Sequence, residues 1–190
     1  MSDVAHRRMS VEEFLDWQSR QDRNYELVDG IPILPLKSMT GATQRHDRVT
    51  VNIMGQLYNT LRKGPCRPST DDIALVTKKR NVRRPDITVQ CAEADPKGMT
   101  SVEPRVVIEV LSPSTMNYDR VRKLDEYKGV PEVQAILLVD TETVRITIHL
   151  RSGDVGWTDR EYVGLDAVID LPMIGAALAL ADVYEGVHGG

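Results

Sequence analysis

A run of apolar residues with one carboxylate inside it most constrains what this chain can fold into. The run is Arg105-Val-Val-Ile-Glu-Val-Leu111, and the turn residues Ser112-Pro-Ser follow it directly. A short apolar run that is bounded by turn residues predicts a buried strand. A helix is predicted next over 119–128, followed by a pair of strands over 133–140 and 144–150. This order predicts an α/β or α+β fold, in which helices pack on a mixed central β-sheet.

Local signals predict the elements at the start of the chain. Ser10 and Glu13 form a capping box, which predicts a short helix over about 10–20. Asp29-Gly30 lies between two apolar runs and predicts a hairpin. Apolar residues recur every four positions within 43–62, which predicts an amphipathic helix. The residues on the apolar face of that helix are Val49, Ile53, Leu57 and Leu61.

The remaining elements are shorter. Two strand-like runs occupy 73–77 and 87–91, a short strand is predicted near 161–163, and a small closing element is predicted near 181–184. A chain of 190 residues is expected to form one domain. The expected domain is therefore 1–190, with an ordered core over about 8–185.

Composition excludes some classes of protein. The chain has 24 Lys and Arg against 28 Asp and Glu, so it is not the strongly basic type of nucleic-acid binder. Residues 1–139 nevertheless carry 21 basic against 19 acidic side chains, which allows a local cationic surface. Its apolar runs are far shorter than the ~20 residues of a membrane-spanning helix. Cys66 and Cys91 form no CxxC motif and no signal peptide is visible, so a reduced, cytoplasmic location is expected.

Three carboxylates break the apolar pattern in ways that indicate a site. Glu109 lies inside the buried strand, where an unpaired carboxylate costs several kcal/mol, so it needs a partner or a metal ion. Asp86 follows Pro85 at the beginning of a neighbouring strand, and Glu26 near the early hairpin is a third candidate. Two carboxylates at adjacent strand ends are typical ligands of Mg²⁺. The alternative is that each is structural: a strand glutamate often pairs with arginine, and an aspartate after proline often forms a turn.

The predicted helix after this strand carries a lysine that could reach the same place. Asp119, Lys123 and Tyr127 are four residues apart and share one helical face. That face could simply be solvated, with an Asp–Lys pair worth a few tenths of a kcal/mol. The helix follows the Glu109 strand directly, however, so its lysine could orient a water molecule or stabilise charge on a phosphate.

Six short motifs occur along the chain in one order. They are Tyr-Glu-Leu-Val-Asp-Gly at 25–30, a histidine that begins a helix at 46, Arg-Pro-Asp-Ile at 84–87, Ile-Glu-Val-Leu-Ser-Pro-Ser at 108–114, Asp-x3-Lys-x3-Tyr at 119–127 and Gly-Val-Pro-Glu at 129–132. No single motif is specific, but the ordered set resembles the Uma-two family of restriction endonucleases, within the PD-(D/E)XK nuclease superfamily. The resemblance extends from about residue 8 to 185.

The resemblance implies a restriction-endonuclease-like mixed central sheet flanked by helices, with a Mg²⁺ or Mn²⁺ site at its edge. It implies that Asp86 and Glu109 are metal ligands, that the backbone carbonyl of Val110 is a further ligand, and that Glu26 belongs to the site. The superfamily motif ends in lysine where this chain has Leu111, and Lys123 resembles a migrated replacement. The implied activity is metal-dependent hydrolysis of DNA phosphodiester bonds by an endonuclease.

Other residues could contact the nucleic acid. His46 begins the long helix; a lone histidine there is more often an ordinary helix-end residue, but the resemblance places it near the site. Five cations fall within seven residues of a predicted hairpin tip that leads to Asp86, and such a tip either is simply solvated or follows the phosphate backbone. These cations are Lys78, Lys79, Arg80, Arg83 and Arg84.

Two other functions are compatible with the same residues. One is a catalytically inactive member that binds nucleic acid or serves in assembly, which Leu111 and the acidic net charge favour. The other is a metal-dependent hydrolase of a different phosphate ester. Because cleavage of both strands of a duplex with one site per chain requires two chains, a homodimer is expected.

Overall fold

The computed structural model of the chain describes residues 8–35, 43–78, 80–111, 118–153 and 156–187. The helices in these ranges are α1 (Val11–Gln18), α2 (Gln44–Leu61), α3 (Tyr118–Lys128) and α4 (Leu180–Val183). The strands are β1 (Glu26–Val28), β2 (Ile31–Ile33), β3 (Arg67–Thr70), β4 (Leu75–Lys78), β5 (Asn81–Arg83), β6 (Ile87–Gln90), β7 (Pro104–Leu111), β8 (Ala135–Asp140), β9 (Arg145–Ser152), β10 (Gly156–Val163), β11 (Val168–Leu171) and β12 (Ala176–Ala179).

The largest sheet has six described strands in the order β10-β9-β8-β7-β6-β3. β7 and β8 are parallel, whereas the other neighbours in this sheet are antiparallel. A parallel pair needs a crossover connection, and α3 lies in the connection between β7 and β8. The predicted mixed central sheet is therefore confirmed, and the carboxylate-bearing strand β7 lies in its interior.

The apolar face of α2 covers one side of this sheet. Its buried residues are the four that the spacing predicts: Val49, Ile53, Leu57 and Leu61. They join one cluster with alternate residues of β7, among them Ile108 and Val110, and with residues of the β11–β12 hairpin and α4. Because side chains alternate across a strand, the intervening residues of β7 must face the opposite side.

The opposite side of the sheet is covered by α3. Val107 of β7 packs there with Tyr127 and Val130 from α3 and the turn after it. Glu109 alternates with Val110 and shares its face with Val107, so it points toward α3 rather than toward α2. The two helices thus lie on opposite sides of β7, and α3 lies on the side toward which Glu109 points.

A smaller sheet carries the rest of the site. Its described strands are in the order β2-β1-β5-β4, and α1 packs on it through Phe14 against Leu27 and Val82. The predicted hairpin joins β1 to β2. Both turn residues have positive φ, 50° at Asp29 and 81° at Gly30, as a two-residue hairpin turn of this kind requires.

Some strands were not predicted. β3 contains Pro68, and β11 and β12 are only four residues each. β5 lies inside the basic segment that the sequence suggested was a connecting turn. β10 extends over Gly156–Val163 and is longer than the predicted strand. These strands form through pairing with distant segments, which local propensity does not encode.

Cys66 and Cys91 are joined by a disulfide, although 25 residues separate them. Cys66 precedes β3 and Cys91 follows β6, and these two strands pair with Arg67 opposite Gln90. Continuing this register by one residue places the two cysteines opposite each other. The spacing of the cysteines in the sequence gave no indication of this pairing.

Within the described ranges, no helix combines the length and the apolar character needed to cross a bilayer.

Candidate functional site

Asp86 and Glu109 come from neighbouring antiparallel strands. The register of β6 and β7 pairs Ile87 with Ile108 and Thr88 with Val107. Continuing it by one residue places Asp86 opposite Glu109, at the point where β6 begins. Residues opposite each other in an antiparallel pair are close neighbours. The structure therefore places the two predicted metal ligands at adjacent positions, where β6 begins and β7 approaches its end.

Backbone geometry fixes the orientation of Asp86. The amide nitrogen of Val110 donates a hydrogen bond of 2.8 Å to its Oδ2 atom, and the residue is only 6% exposed. In a strand, the N–H and C=O groups of one residue point toward the same neighbouring strand. The Val110 carbonyl therefore also faces the Asp86 side, and its role as a metal ligand stays a prediction.

α2 brings a histidine to the same carboxylate. Thr43 caps this helix by accepting a hydrogen bond from the backbone nitrogen of His46, so His46 lies in the first turn. Its Nε2 atom is 3.5 Å from Asp86 Oδ2. The cap thus fixes His46 in the first turn of α2, and this turn lies beside Asp86.

Glu109 is held from α3. The Tyr127 hydroxyl donates a hydrogen bond of 2.6 Å to its Oε1 atom. Lys123, one turn earlier on the same helix, has its Nζ atom 3.8 Å from that oxygen. The spacing of four residues that the sequence identified therefore directs both side chains toward one carboxylate.

Lys123 also contacts Glu26. Its Nζ atom lies 3.0 Å from Glu26 Oε1, and the lysine side chain is 14% exposed. Glu26 reaches this point from β1, in the smaller sheet. The structure thus brings Glu26, Glu109 and Lys123 together from three different elements.

Glu26 is buried and ionised. Its Oε2 atom is 3.0 Å from Arg83 Nη1, and its Oε1 atom accepts a hydrogen bond of 3.1 Å from the Arg84 amide. Burial raises the pKa of this carboxyl, but the charges of Lys123 and Arg83 outweigh burial and hold the pKa below its usual value. Glu26 is therefore a fixed negative charge beside Lys123.

Arg83 links Glu26 to α3. It makes two hydrogen bonds to Glu126, 2.9 Å from Nε to Oε2 and 2.8 Å from Nη2 to Oε1. Thr77 donates a further hydrogen bond of 2.9 Å to Glu126. Burial raises the pKa of the Glu126 carboxyl, but Arg83 outweighs burial, and the pKa falls to about 2. A row of alternating charges thus extends from Glu126 through Arg83, Glu26 and Lys123 to Glu109.

The prediction that the whole basic segment contacts nucleic acid is wrong for two of its members. Arg83 is 0% exposed and Arg84 is 2% exposed. The Arg84 guanidinium donates to backbone carbonyls of Tyr25, Asp71 and Asp72. The segment folds back as strand β5, which places the Arg83 side chain against Glu126 of α3. Both arginines are therefore buried and make contacts inside the protein.

The other three cations lie at the end of the β4–β5 hairpin. Lys78 ends β4, Lys79 lies outside the described residues, and Arg80 is exposed. A nucleic-acid role for these residues stays a prediction.

The oxygen donors at the sheet edge suit a hard divalent cation. Two carboxylates and one carbonyl, from Asp86, Glu109 and Val110, form the candidate set. In the described part of the chain, no group of three or more His, Cys, Asp or Glu side chains is arranged to hold a metal. Mg²⁺ is typically bound by only one or two protein carboxylates and keeps several waters, so this donor set fits it.

Sequence reasoning missed the roles of Tyr127 and Glu126. Tyr127 is the last residue of the Asp-x3-Lys-x3-Tyr motif, and its place one turn after Lys123 was the available signal. Glu126 gave no signal, because its partner Arg83 is 43 residues away along the chain.

A mixed sheet with helices on both faces and two carboxylates at neighbouring strand ends is typical of restriction-endonuclease-like proteins. A family model described as "Putative restriction endonuclease" matches residues 11–181. The chain belongs to this family, Uma2. The predicted family is therefore confirmed.

The chain is also similar to individual proteins over most of its length. The Synechocystis sp. protein named "Uncharacterized protein slr1290" is 31% identical over 182 residues, which is 95% of this chain and 93% of that protein. A second one, "Uncharacterized protein sll1609", is 26% identical and covers 85% of this chain and 92% of its own length. A crystal structure described as "a putative nuclease belonging to DUF820" from Anabaena variabilis has a TM-score of 0.69 at 17% identity. It covers 93% of this chain and 98% of its own. That likeness confirms the predicted fold.

Proposed function

We propose that the protein is a metal-dependent endonuclease that hydrolyses phosphodiester bonds in DNA. One observation carries the proposal: Asp86, directly before β6, lies opposite Glu109 of β7 when their register is continued by one residue, and an ammonium group from α3 lies 3.8 Å from Glu109. A family described as restriction endonucleases gives the substrate class. Lys123 on α3 would thereby replace the lysine that the superfamily motif has at the position of Leu111.

Each residue at the site has a chemical role in this proposal. Asp86, Glu109 and the Val110 carbonyl would hold Mg²⁺ or Mn²⁺. When bound there, the ion lowers the pKa of a coordinated water and neutralises charge on the scissile phosphate. The Lys123 ammonium orients the attacking water and stabilises the negative charge that develops on the phosphate.

Glu26 supports Lys123 rather than binding the ion. It is 1% exposed, and its two oxygens are already engaged by Lys123, Arg83 and the Arg84 amide. A fixed negative charge at 3.0 Å limits where the ammonium can lie. This restriction would keep Lys123 directed at Glu109 and the substrate phosphate.

The nucleic acid would approach over the first turn of α2 and the β4–β5 hairpin. His46 is 12% exposed in its side chain and borders Asp86, so it would donate to a phosphate oxygen. Lys78, Lys79 and Arg80 would follow the phosphate backbone, and neutralising them should flatten the salt dependence of DNA binding. A homodimer would present two sites to a duplex.

The test combines metal binding with cleavage. Calorimetry with Mn²⁺ measures binding to the wild type and to Asp86→Asn, Glu109→Gln and Lys123→Met. Cleavage is assayed with single-stranded, duplex and branched DNA and with RNA. We expect Asp86→Asn and Glu109→Gln to weaken Mn²⁺ binding and to lower cleavage at least about 100-fold, since each removes a ligand charge. Lys123→Met should retain Mn²⁺ binding and lose cleavage.

A matched control is Glu161→Gln, which changes a half-exposed carboxylate on β10. It should leave both measurements unchanged. Full cleavage by folded Asp86→Asn or Glu109→Gln would rule out this site. A wild type that binds DNA but neither binds Mn²⁺ nor cleaves would instead be an inactive binding module, and cleavage of only small phosphate esters would indicate another hydrolase.

A further inference from the structure

Tyr127 is a buried polar residue whose hydroxyl group lies at the site. It is 0% exposed and belongs to the apolar cluster on the α3 side of the sheet, with Val107, Ile136 and Leu138. A phenylalanine would fill this space equally well. The hydroxyl therefore contributes something that packing does not require, and its described contact is the hydrogen bond of 2.6 Å to Glu109 Oε1.

A hydrogen bond to a carboxylate is charge-assisted and constrains the orientation of both oxygens. Glu109 has a long side chain, and each contact that it makes limits its rotation at the end of β7. Tyr127 cannot follow such a rotation, because its ring is enclosed by the sheet and the helix. Its hydroxyl thus fixes where Glu109 Oε1 lies relative to β7.

The position of Tyr127 is itself fixed by the neighbouring residue on α3. Glu126 binds Arg83 of the smaller sheet with two hydrogen bonds, and it also accepts one from Arg122, a turn earlier. This contact anchors one stripe of α3 to the smaller sheet. The adjacent stripe then presents Lys123 and Tyr127 to Glu109.

We propose that Tyr127 is a positioning residue for the metal site: its hydroxyl holds the Glu109 carboxylate in the orientation that binds the divalent ion. The inference rests on the proposed nuclease function and adds a residue to it. Hydrogen-bond partners of metal ligands commonly tune metal affinity, and their loss costs about 10–100-fold in affinity or activity.

The experiment compares Tyr127→Phe with Tyr184→Phe in the full-length chain. Tyr184 is the control, since it is also buried, at 2% exposed, and its hydroxyl contacts the backbone instead of Glu109. The hydroxyl is 2.8 Å from the Asp140 carbonyl oxygen and 2.7 Å from that of Arg145. Both changes delete one buried tyrosine hydroxyl. Only the first deletes a contact with a proposed ligand.

Three quantities are measured: the midpoint of urea denaturation, the Kd for Mn²⁺ by calorimetry, and the Mn²⁺ concentration that gives half-maximal DNA cleavage. We expect Tyr127→Phe to raise the Kd and the half-maximal concentration about tenfold. Cleavage at saturating Mn²⁺ should largely recover, because the ligand and Lys123 are still present. Tyr184→Phe should lower stability at least as much, because its hydroxyl contacts three backbone groups, and should leave both metal readouts unchanged.

A double variant tests whether Tyr127 acts through Glu109. If it does, adding Tyr127→Phe to Glu109→Gln should not weaken Mn²⁺ binding further, because residues of one network have non-additive effects.

The outcomes separate the two proposals. Wild-type protein that binds Mn²⁺ and cleaves, with Tyr127→Phe indistinguishable from it in Kd and half-maximal Mn²⁺, would overturn the positioning role alone. Equal shifts in Tyr127→Phe and Tyr184→Phe would also overturn it, since the effect would then be general destabilisation. A wild type with neither Mn²⁺ binding nor cleavage would overturn both proposals.

Discussion

Replacing Glu126 by glutamine should destabilise the protein at neutral pH and make its stability less sensitive to acid. The change preserves the shape of the side chain but removes the charge that Arg83 binds. Both partners are almost fully buried, with side-chain exposures of 0% for Arg83 and 1% for Glu126. Removing one member of such a pair leaves the other charge buried with less compensation.

The magnitude follows from the pKa of Glu126. A fall from its ordinary value of 4.5 to about 2 corresponds to roughly 3 kcal/mol of stability at neutral pH. The folded-state pKa lies below that of the unfolded chain, so this stabilisation is complete above about pH 5 and is lost as the pH falls toward 2. At pH 3, roughly 2 kcal/mol of it should already be lost.

Urea denaturation at pH 7 and pH 3 measures this difference. Glu126→Gln should be about 3 kcal/mol less stable than the wild type at pH 7 and only about 1 kcal/mol less stable at pH 3. The control is Glu142→Gln, whose ion pair with Arg45 is about half exposed and should contribute less than ~1 kcal/mol. An equal loss of stability at both pH values, or no loss at pH 7, would refute the reasoning.

Two further predictions concern stability. Replacing both Cys66 and Cys91 by alanine opens a loop whose ends are 25 residues apart, and it should lower the free energy of unfolding by roughly 3 kcal/mol; unchanged urea unfolding would contradict this. Gly30→Ala places a Cβ atom 2.7 Å from Arg8 Cβ at a φ of 81°, so it should cost more than the ~1–2 kcal/mol expected from positive φ alone. Gly164→Ala is the control, because its φ is 88° and no atom lies within 4 Å of the added Cβ. It measures the cost of positive φ alone, and an equal loss of stability in both variants would exclude the steric contribution at Gly30.

Helix α3 contacts both sheets through side chains on neighbouring positions. Lys123 and Tyr127 contact Glu109 of the larger sheet, whereas Glu126 contacts Arg83 of the smaller one. The position of the Lys123 ammonium beside Glu109 therefore depends on the contacts of α3 with both sheets. Lys123 therefore approaches Glu109 from a helix, whereas β7 itself ends in Leu111.

Local signals predicted elements where the information is itself local. The capping box of Ser10 and Glu13, the Asp29-Gly30 turn and the four-residue spacing of α2 each act within a few residues, and each is confirmed. β3 and β5 were missed for the converse reason. Their stability comes from pairing with β6, β1 and β4, and their own residues have little strand propensity.

Buried charge was interpreted correctly for Glu109 and incorrectly for Arg83. A carboxylate inside an apolar run requires a partner, and Tyr127 and Lys123 are found beside it. Arg83 lies within a run of cations, which by sequence alone is typical of a solvated turn. Only the return of the chain as β5 places it between Glu26 and Glu126.

The sequence by itself determined the type and order of the main elements, because periodicity, caps and turns act over short distances. It also indicated that Glu109 belongs to a site, because a carboxylate inside an apolar strand needs a partner, whichever residue that partner is. The tertiary structure alone decided which cations are buried, which cysteines pair and which hydroxyl contacts Glu109. These contacts join segments that are distant along the chain, and their energies depend on burial, which exists only once the chain has folded.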